Sequence, residues 1–471
     1  MSQEPDFRAF KDWRVDGPAG PWPYFYEPDT ELTVEQKKIV EKNAKLLLDR
    51  DAWSAHVDAF EEQLALIKNK KKRSRVRAKF QIRFDHHIFP DHKADFFGIH
   101  FPCSVSFTGA KFGGYGVSFD GARFEDGSVS FNGATFGDGH VWFDGATFGK
   151  GNVSFEGITF GKGDVSFKRV KFGEGNVWFD DFTFGDGNIS FKDATFGEGN
   201  VWFIKVTLTK ASVSFEDIAV AGNLFVRNIS FPKEANFQRA SVKGTADFSE
   251  NTFHEVPDFR DTVFARPPEV ARMEVLPYAF TFMTPWWKGE YDEAAKFRKL
   301  KAMALASNDH EKDGEFFAYE MLAKRGDDKD NKSFLDRFIQ SPFDLLINWF
   351  YFTLSNFGQS YLRPLVCLLI SLVVFIAPYF WMVRSFLPTS EALWFGFDHS
   401  WRNFMPLLNS LFRFAYRPEN HETPYEKSYN ALIAHETTID CLITLGIAQN
   451  FIGLILLFLL LLGLRNKFRL K

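Results

Sequence analysis

Phenylalanine recurs every twelve residues across the centre of this chain. A first series of ten runs through Phe107, Phe119, Phe131, Phe143, Phe155, Phe167, Phe179, Phe191, Phe203 and Phe215. A second series follows five residues behind, from Phe112 to Phe196, and ends where Leu208 takes the ninth position. An apolar residue at a strict short period is the signature of a solenoid, in which each coil packs on the next. The pattern therefore predicts a stacked surface and argues against a catalytic domain.

The repeat unit alternates between inward and outward positions. Val105 lies two residues before Phe107, and residues two apart in a strand point to the same face, so both should face the core. Ser106 lies between them and should point outward. Successive Phe positions are separated by five and then seven residues, and the two extra residues fall in Gly-x-Gly segments such as Gly149–Gly151. We expect these glycines to supply the backbone angles of a tight corner, and the Asn that often follows, such as Asn152, to adopt a left-handed conformation.

A small or apolar residue two positions before a central Phe resembles the unit of the pentapeptide-repeat proteins. The resemblance covers residues 96–265 and implies a right-handed, four-sided (quadrilateral) β-helix. Every second unit is stretched here from five residues to seven, so a four-sided coil would hold 24 residues, while a flat coil of twelve residues remains an alternative. Roughly seven of the longer coils, stacked about 4.8 Å apart, would form a rod of about 34 Å.

The outward tryptophans bear on the coil length. Trp178 and Trp202 are 24 residues apart, which favours the longer coil, whereas Trp142 is out of their phase. After residue 220 the Phe period shortens to about eleven residues, as expected where terminal repeats cap a stack. All three Trp side chains are candidates for a partner-binding face. Packing against N-terminal helices over residues 39–67 is the alternative explanation for them.

Two uncharged apolar stretches follow, nineteen residues long at 365–383 and twenty-four residues long at 441–464. About twenty apolar residues cross the hydrocarbon core of a bilayer as a helix, so both are predicted to be transmembrane helices. Four basic residues follow the second stretch, and the connecting loop 385–440 carries seven acidic and four basic residues. The positive-inside rule then places both termini in the cytoplasm.

Polar residues lie inside the second predicted span. Gln449 and Asn450 are candidates for a helix–helix contact or for the lining of a pore, because polar groups at membrane depth face a partner helix or water. The loop before them is apolar over residues 393–395 and 401–416, and the spacing from Phe404 to Phe412 predicts a re-entrant or interfacial helix. No Thr-Val-Gly-Tyr-Gly filter follows this helix, which argues against a potassium channel.

The segment before the spans is predicted to be helical. Residues 292–325 read as a hairpin with its break and cap at 307–309, and residues 343–357 as an interfacial helix. From residue 290 onward the chain resembles the C-terminal membrane module of bacterial pentapeptide-repeat proteins, which implies an integral, channel-like protein of the bacterial inner membrane. The matching motifs are Phe297-Arg298-Lys299-Leu300-Lys301, Phe316-Phe317-Ala318-Tyr319-Glu320, the set Ser355, Gly358, Ser360, Arg363 and Pro364, and Leu464-Arg465 with Phe468-Arg469.

These patterns divide the chain into four regions. They are an N-terminal helical and aromatic cap with a basic linker (1–95), the β-helix (96–265), a cytoplasmic helical linker (266–340), and a module with an interfacial helix and two transmembrane helices (341–471). The predicted fold class is mainly β.

A basic run of eight charges in twelve residues, 68–79, precedes the β-helix. Three interpretations remain open, namely contact with anionic lipid headgroups, contact with nucleic acid, and a solvated linker. Nucleic acid is disfavoured because no aromatic residue interrupts the run before Phe80. The candidate contacts are Lys70, Lys71, Lys72, Arg73, Arg75 and Arg77.

The sequence predicts no catalytic, cofactor-binding or metal site. The spacing of the one metal-like cluster does not match the paired arrangements of zinc sites. That cluster consists of Asp85, His86, His87, Asp91 and His92. The three cysteines lie far apart and predict no disulfide framework, and no nucleophile elbow, phosphate-binding loop or His-Glu-x-x-His motif is present.

We therefore expect a non-enzymatic integral membrane protein whose cytoplasmic β-helix is a binding and assembly platform for an unidentified protein partner. The alternative is an oligomeric ion channel or a membrane-permeabilising effector, such as a defence protein, gated by the cytoplasmic domain. Two spans cannot enclose an aqueous path alone, so conduction would require a homo-oligomer in the lipid bilayer, and we expect such an oligomer.

Overall fold

The structure is a computed structural model that describes residues 4–14, 32–90, 95–276, 291–324, 342–404, 424–432 and 435–468. The chain divides into two compact units, Met1–Asp327 and Asp328–Lys471.

The first unit is built around a β-solenoid of short parallel strands on four walls. The first wall contains β1 Gln81–Arg83, β4 Ser104–Ser106, β8 Val129–Ser130, β12 Val153–Ser154, β15 Val177–Trp178, β19 Val201–Ile204, β23 Leu224–Arg227 and β27 Ala246–Asp247. The second contains β2 Ile88–Phe89, β5 Lys111–Phe112, β9 Thr135–Phe136, β16 Thr183–Phe184, β20 Thr207–Leu208, β24 Ser230–Phe231, β28 Thr252–Phe253 and β30 Glu274–Val275. The third contains β6 Val117–Ser118, β10 Val141–Trp142, β13 Val165–Ser166, β17 Ile189–Ser190, β21 Val213–Ser214 and β25 Ala235–Asn236. The fourth contains β3 His100–Phe101, β7 Arg123–Phe124, β11 Thr147–Phe148, β14 Lys171–Phe172, β18 Thr195–Phe196, β22 Ala219–Val220, β26 Ser241–Val242 and β29 Val263–Phe264.

The strand register fixes the coil length. Val129 pairs with Val153, and Val141 pairs with Val165, so each coil holds two of the twelve-residue units. The prediction of a four-sided β-helix is thereby confirmed, and the flat coil of one unit is excluded. The first wall holds eight strands, one coil more than the predicted seven. Strands begin at Gln81 and end at Val275, so the solenoid extends to both sides of the predicted range 96–265.

The core consists of four columns of stacked Phe rings. Phe107 and Phe131, one coil apart, stack with ring centroids 4.8 Å apart and an interplanar angle of 7°. Neighbouring columns meet edge to face, as where Phe107 meets Phe119 at 5.7 Å and 78°. Both geometries are favoured by the aromatic quadrupole and contribute about 0.5–1.5 kcal/mol per pair beyond burial. The coil repeat thus places each ring at its preferred distance from the next.

The roles expected for the corner residues are wrong. The left-handed backbone lies instead at the shorter corners, within the five-residue spacing between successive Phe positions. Examples are Gly145 (φ +67°) and its equivalents one and two coils further, Arg169 (φ 57°) and Asp193 (φ 59°). At the Gly-x-Gly corners the glycine is needed for space, because a Cβ on Gly175 would lie 2.0 Å from the carbonyl oxygen of Gly151.

The Asn residues at the Gly-x-Gly corners bridge successive coils. The Asn176 N–H donates to the side-chain oxygen of Asn152 at 3.0 Å, and the Asn200 N–H donates to that of Asn176 at 2.9 Å. No Asn at these positions is among the described residues with positive φ. The amide ladder therefore replaces the left-handed conformation that the sequence predicts.

The coils shorten beyond β19, as the shorter Phe period predicts. Val201 pairs with Leu224, one residue earlier than in the preceding coils, and Leu224 pairs with Ala246, earlier by one residue more. Among the described strands of the second wall, β20 and β24 are neighbours without ladder hydrogen bonds. Pro232 follows β24 and has no N–H to donate, whereas His254, in the next coil, donates its N–H to the Phe231 carbonyl at 3.0 Å. We call this break between β20 and β24 the seam.

An apolar cavity of about 20 Å³ lies beneath the seam and is lined by Phe184, Phe203, Leu208 and Phe231, among others. Leu208 interrupts the ring column of the second wall, which resumes where Phe231 stacks on Phe253 at 4.8 Å. The smaller, non-planar side chain leaves the ring position empty and accounts for the cavity.

Helices cover both ends of the solenoid. At the N-terminal end are a 3-10 helix (Arg8–Trp13), α1 (Val34–Leu48), α2 (Arg50–Ala65) and α3 (Lys70–Arg77). The Trp53 indole of α2 packs on Phe101 with ring centroids 5.6 Å apart and donates to the His100 carbonyl at 2.9 Å. These contacts seal the apolar end of the ring columns.

The hairpin α4 (Tyr291–Ala306) and α5 (His310–Ala323) covers the other end. The Asp309 side chain caps α5 as predicted, accepting from the Lys312 N–H at 3.0 Å. Lys299 donates to the Thr262 carbonyl of the last coils at 2.8 Å. The segment predicted as a linker toward the membrane (266–340) therefore contains the C-terminal cap of the solenoid.

The second unit is helical. Its described helices are α6 Pro342–Ser355, α7 Leu362–Val383, α8 Thr389–Phe404, α9 Pro424–Leu432 and α10 Glu436–Phe468. Two of them, α7 and α10, are long and apolar enough to cross a membrane, judged by length and composition. The loop helix begins earlier than the sequence indicates, and the rest of the predicted spacing from Phe404 to Phe412 lies outside the described residues.

We predict that two glycine substitutions distinguish a glycine required by close packing from a glycine that only adopts a left-handed backbone angle. Gly175→Ala should lower the free energy of unfolding by at least about 2 kcal/mol, because its Cβ overlaps the backbone of the previous coil. Gly145→Asp should cost less than about 1 kcal/mol, because open space surrounds its Cβ and Asp193 already adopts this angle. Urea unfolding of both variants measures the difference, and equal losses would contradict the assignment.

We predict that Leu208→Phe fills the seam cavity. A ring stacked between Phe184 and Phe231 should raise the free energy of unfolding by about 1 kcal/mol. Hydrogen exchange of the Leu208 and Ser230 amides should slow in the same variant. Leu208→Met, which adds no ring, is the matched control. Destabilisation by Phe alone would show that the column has no room for a ring.

Candidate functional site

The predicted outward tryptophans form part of a stacked surface. Trp178 and Trp202 are paired residues of β15 and β19, with ring centroids 5.3 Å apart and an interplanar angle of 5°. Phe225 of β23 continues the stack at 5.9 Å and 12° from Trp202. All three side chains are half-buried. We call these residues the aromatic ladder.

Phe225 was missed by the sequence reasoning. It pairs with Trp202 at the outward position of its own coil, one residue earlier than the longer coils would place it. The shortening of the Phe period after residue 220 is the signal that could have located it, because the outward phase shifts by one residue there.

Trp142 belongs to a different wall. It lies on β10 of the third wall, opposite the wall that carries the aromatic ladder, and is 37% exposed. Its neighbours there are His140, whose ring centroid is 5.5 Å away, and Gly116. The three predicted tryptophans therefore do not share one face. The N-terminal helices pack on the first coils, at His100 and Phe101.

Polar groups border the aromatic ladder on both sides. On one side Asn223 donates from its side-chain amide to the Asn200 side-chain oxygen at 2.7 Å, extending the amide ladder. On the other side the Asp180 carboxylate accepts from the Ile204 N–H at 3.0 Å. Burial raises the pKa of Asp180 to about 6. The surface thus combines planar apolar rings with hydrogen-bonding groups, a composition typical of protein recognition sites.

The basic run is a helix with two distinct faces. Arg73 donates to the Ile67 carbonyl at 3.1 Å, and Arg77 donates to the Pro102 carbonyl at 2.7 Å and to Glu61 at 2.8 Å. Both guanidinium groups are thus engaged within the first unit. The exposed cations of α3 are Lys70, Lys71, Lys72 and Arg75.

Gln449 and Asn450 both contact α8. Gln449 is fully buried, where its amide donates to the Ser400 hydroxyl at 2.9 Å and its carbonyl accepts from the Tyr379 hydroxyl of α7 at 2.8 Å. Asn450 donates to the Asn403 side-chain oxygen at 3.1 Å. These bonds join α7, α8 and α10 within one chain.

The backbone of α8 lies close to that of α7. A Cβ on Gly396 would lie 3.0 Å from the Ile376 carbonyl oxygen of α7. Ile376 is within one helical turn of Pro378, which also lies inside α7. The Ser400 hydroxyl also donates to the Leu372 carbonyl at 2.7 Å. The C-terminal end of α8 therefore reaches the middle of the apolar stretch of α7.

The metal-like cluster of the sequence does not assemble into a site among the described residues. The Asp85 carboxylate accepts from the Ser106 hydroxyl, and Asp91 and His92 lie outside the described residues. Across the ranges that the structure describes, no group of three or more His, Cys, Asp or Glu residues is placed to hold a metal ion.

The comparisons with known proteins point to one family. The family model for pentapeptide repeats matches residues 107–159 with nine copies. No curated protein and no solved structure matches the chain. The matched residues lie on the four-sided coils described above, in which the apolar pair of each unit faces the core. The solenoid of this chain is therefore a pentapeptide-repeat β-helix.

Proposed function

We propose that this chain is a non-enzymatic, membrane-anchored platform that binds and assembles a protein partner. The observation that carries the proposal is the aromatic ladder. Three coils of the first wall place Ser at the outward position that Trp178 and Trp202 occupy, namely Ser106, Ser130 and Ser154. Stacked, partly exposed rings on a rigid wall are a preorganised contact surface, which lowers the entropic cost of binding.

The capped ends leave the walls as the binding surface of the solenoid. The first and last coils are covered by helices, as the contacts of Trp53 and Lys299 show. A partner therefore meets the side walls, and the first wall carries three stacked outward aromatic side chains, Trp178, Trp202 and Phe225.

The second unit supports membrane anchoring. Only 17% of the most apolar window of α7, and 28% of that of α10, is buried within the chain. Side chains such as Val373 and Phe458, each 65% exposed, would leave a large apolar surface in water, whereas a bilayer would cover it. We propose that both termini lie in the cytoplasm of a bacterial cell, on the basis of the positive-inside rule, and that the chain forms a homo-oligomer in the inner membrane.

We predict that the first wall, and not the third, contacts the partner. Trp178→Ser combined with Trp202→Ser restores the residue that other coils carry and should leave the solenoid folded. A photo-reactive phenylalanine at position 202 of the full chain should yield a defined cross-linked product in the cells that express it. The same probe at position 142 is the matched control. Equal products at both positions, or none at 202, would contradict the proposal.

A second candidate function is an oligomeric channel or a membrane-permeabilising effector. The position of α8 favours it, because a shorter helix packed against two candidate spans is the outline of two-span channels. Hydrogen bonds from Gln449 and Asn450 hold α8 in this position. The path itself would have to form between several copies of the chain.

We predict that Gln449→Leu distinguishes a contact from a conduction role. The substitution removes the Gln449 acceptor of the Tyr379 hydroxyl and one donor to the Ser400 hydroxyl, which keeps its bond to the Leu372 carbonyl, and should lower stability by about 1–3 kcal/mol. Thermal unfolding and planar-bilayer recording of the detergent-purified chain measure both properties. Ile447→Leu, on an exposed face of α10, is the control. A changed unit conductance with intact stability would establish the channel and contradict the contact role.

A further inference from the structure

The exposed cations of α3 form a compact surface at the N-terminal cap of the solenoid. We call Lys70, Lys71, Lys72 and Arg75, with the flanking Lys68 and Lys79, the basic surface. All six side chains are exposed. Among the described residues, none of the six has an ion pair or a side-chain hydrogen bond to a carboxylate. The charge of this surface is therefore available to a partner.

Two arginines and one valine fix the orientation of the helix. Arg73, Val76 and Arg77 follow helical spacing, so they share one face of α3. Val76 packs on the core of the first unit, and Arg77, with its side chain only 13% exposed, reaches Glu61 and the Pro102 carbonyl. This inward face turns the remaining cations outward on a rigid support.

The helix keeps its cations although they repel one another. Lys71 and Arg75 are four residues apart, where like charges destabilise a helix. The Asn69 side chain caps the first turn by accepting from the Lys72 N–H at 3.0 Å. A solvated linker would need neither the cap nor the anchored inward face.

We propose that the basic surface binds the anionic headgroups of a lipid membrane. Five of its six cations are lysines, whose compact ammonium groups suit a diffuse layer of headgroups. Arginine is the side chain favoured for contacts with nucleic acids, and Arg73 and Arg77 both face inward. Leu66, exposed beside the surface, adds an apolar contact at headgroup depth. The inference rests on the proposed membrane anchoring, because an anchored chain has an anionic bilayer surface close to it.

The test is vesicle flotation of the purified full chain held in amphipol. Vesicles of phosphatidylcholine with phosphatidylglycerol are compared with vesicles of phosphatidylcholine alone, at low and at high salt. We expect binding to the anionic vesicles only, weakened by salt. Combining Lys70→Gln, Lys71→Gln and Lys72→Gln should weaken it by roughly 100-fold, since each lysine contributes about fivefold.

Two matched variants test whether the position of the lysines, and not the change in net charge or a loss of folding, explains weaker binding. Combining Lys111→Gln, Lys171→Gln and Lys243→Gln removes the same charge from exposed positions on the solenoid and should leave binding within about threefold. Changing Lys70, Lys71 and Lys72 to Arg keeps the charge and should keep binding. Equal losses in the two Gln variants, or loss in the Arg variant, would overturn the proposal.

Two further outcomes would also overturn it. One is equal binding to phosphatidylcholine alone, and the other is tighter binding to a duplex oligonucleotide than to anionic vesicles at the same salt. Anchoring is measured separately, by whether the full chain stays in the membrane pellet after alkaline carbonate extraction. The lysine substitutions should not change that result, so the two proposals can fail independently.

Discussion

Parallel stacking of phenylalanine rings, one coil above the next, is the interaction on which the solenoid depends. Strands of successive coils lie about 4.8 Å apart because of their hydrogen bonds, and this distance is also a favourable spacing for parallel rings. Phe124 and Phe148, for example, stack at 4.6 Å and 1°. Because the distance between strands matches the distance between stacked rings, phenylalanine is favoured throughout the interior. A smaller side chain leaves a gap in its column. Leu208 shows this cost at the seam.

An interior of stacked rings ends in two apolar faces, and this explains the helices at both ends. Trp53 covers the first rings, and the α4–α5 hairpin covers the last coils. The hairpin includes a buried carboxylate whose cost is offset locally. Burial would raise the pKa of Glu320, but hydrogen bonds from Lys301, Lys324 and Arg298 lower it to about 2. The motif residues of that hairpin thus have a structural role within the first unit.

The Phe period predicts a solenoid with inward rings, because side-chain direction in a strand follows directly from sequence parity. The four walls follow from the resemblance to pentapeptide repeats. The Trp178–Trp202 spacing favours the longer coil, but the choice between the two coil lengths needs the strand register. The corner chemistry was not predictable in the same way. Glycine suits both a left-handed angle and a close backbone approach, and only the packing of successive coils shows that Gly175 serves the second need. Likewise the charges of Arg73 and Arg77 were visible in the sequence, but their inward direction depends on how α3 packs.

The sequence repeats with every unit, whereas the structure repeats only after two units, and this mismatch has a consequence for how such a chain can evolve. Duplicating a pair of successive units would lengthen the solenoid by one coil and leave every outward residue on its wall. Duplicating a single unit, which is the same event at the level of the gene, would carry everything downstream half a coil around the axis. A surface built on the first wall would then be split between opposite walls, as Trp142 is already separated from Trp178.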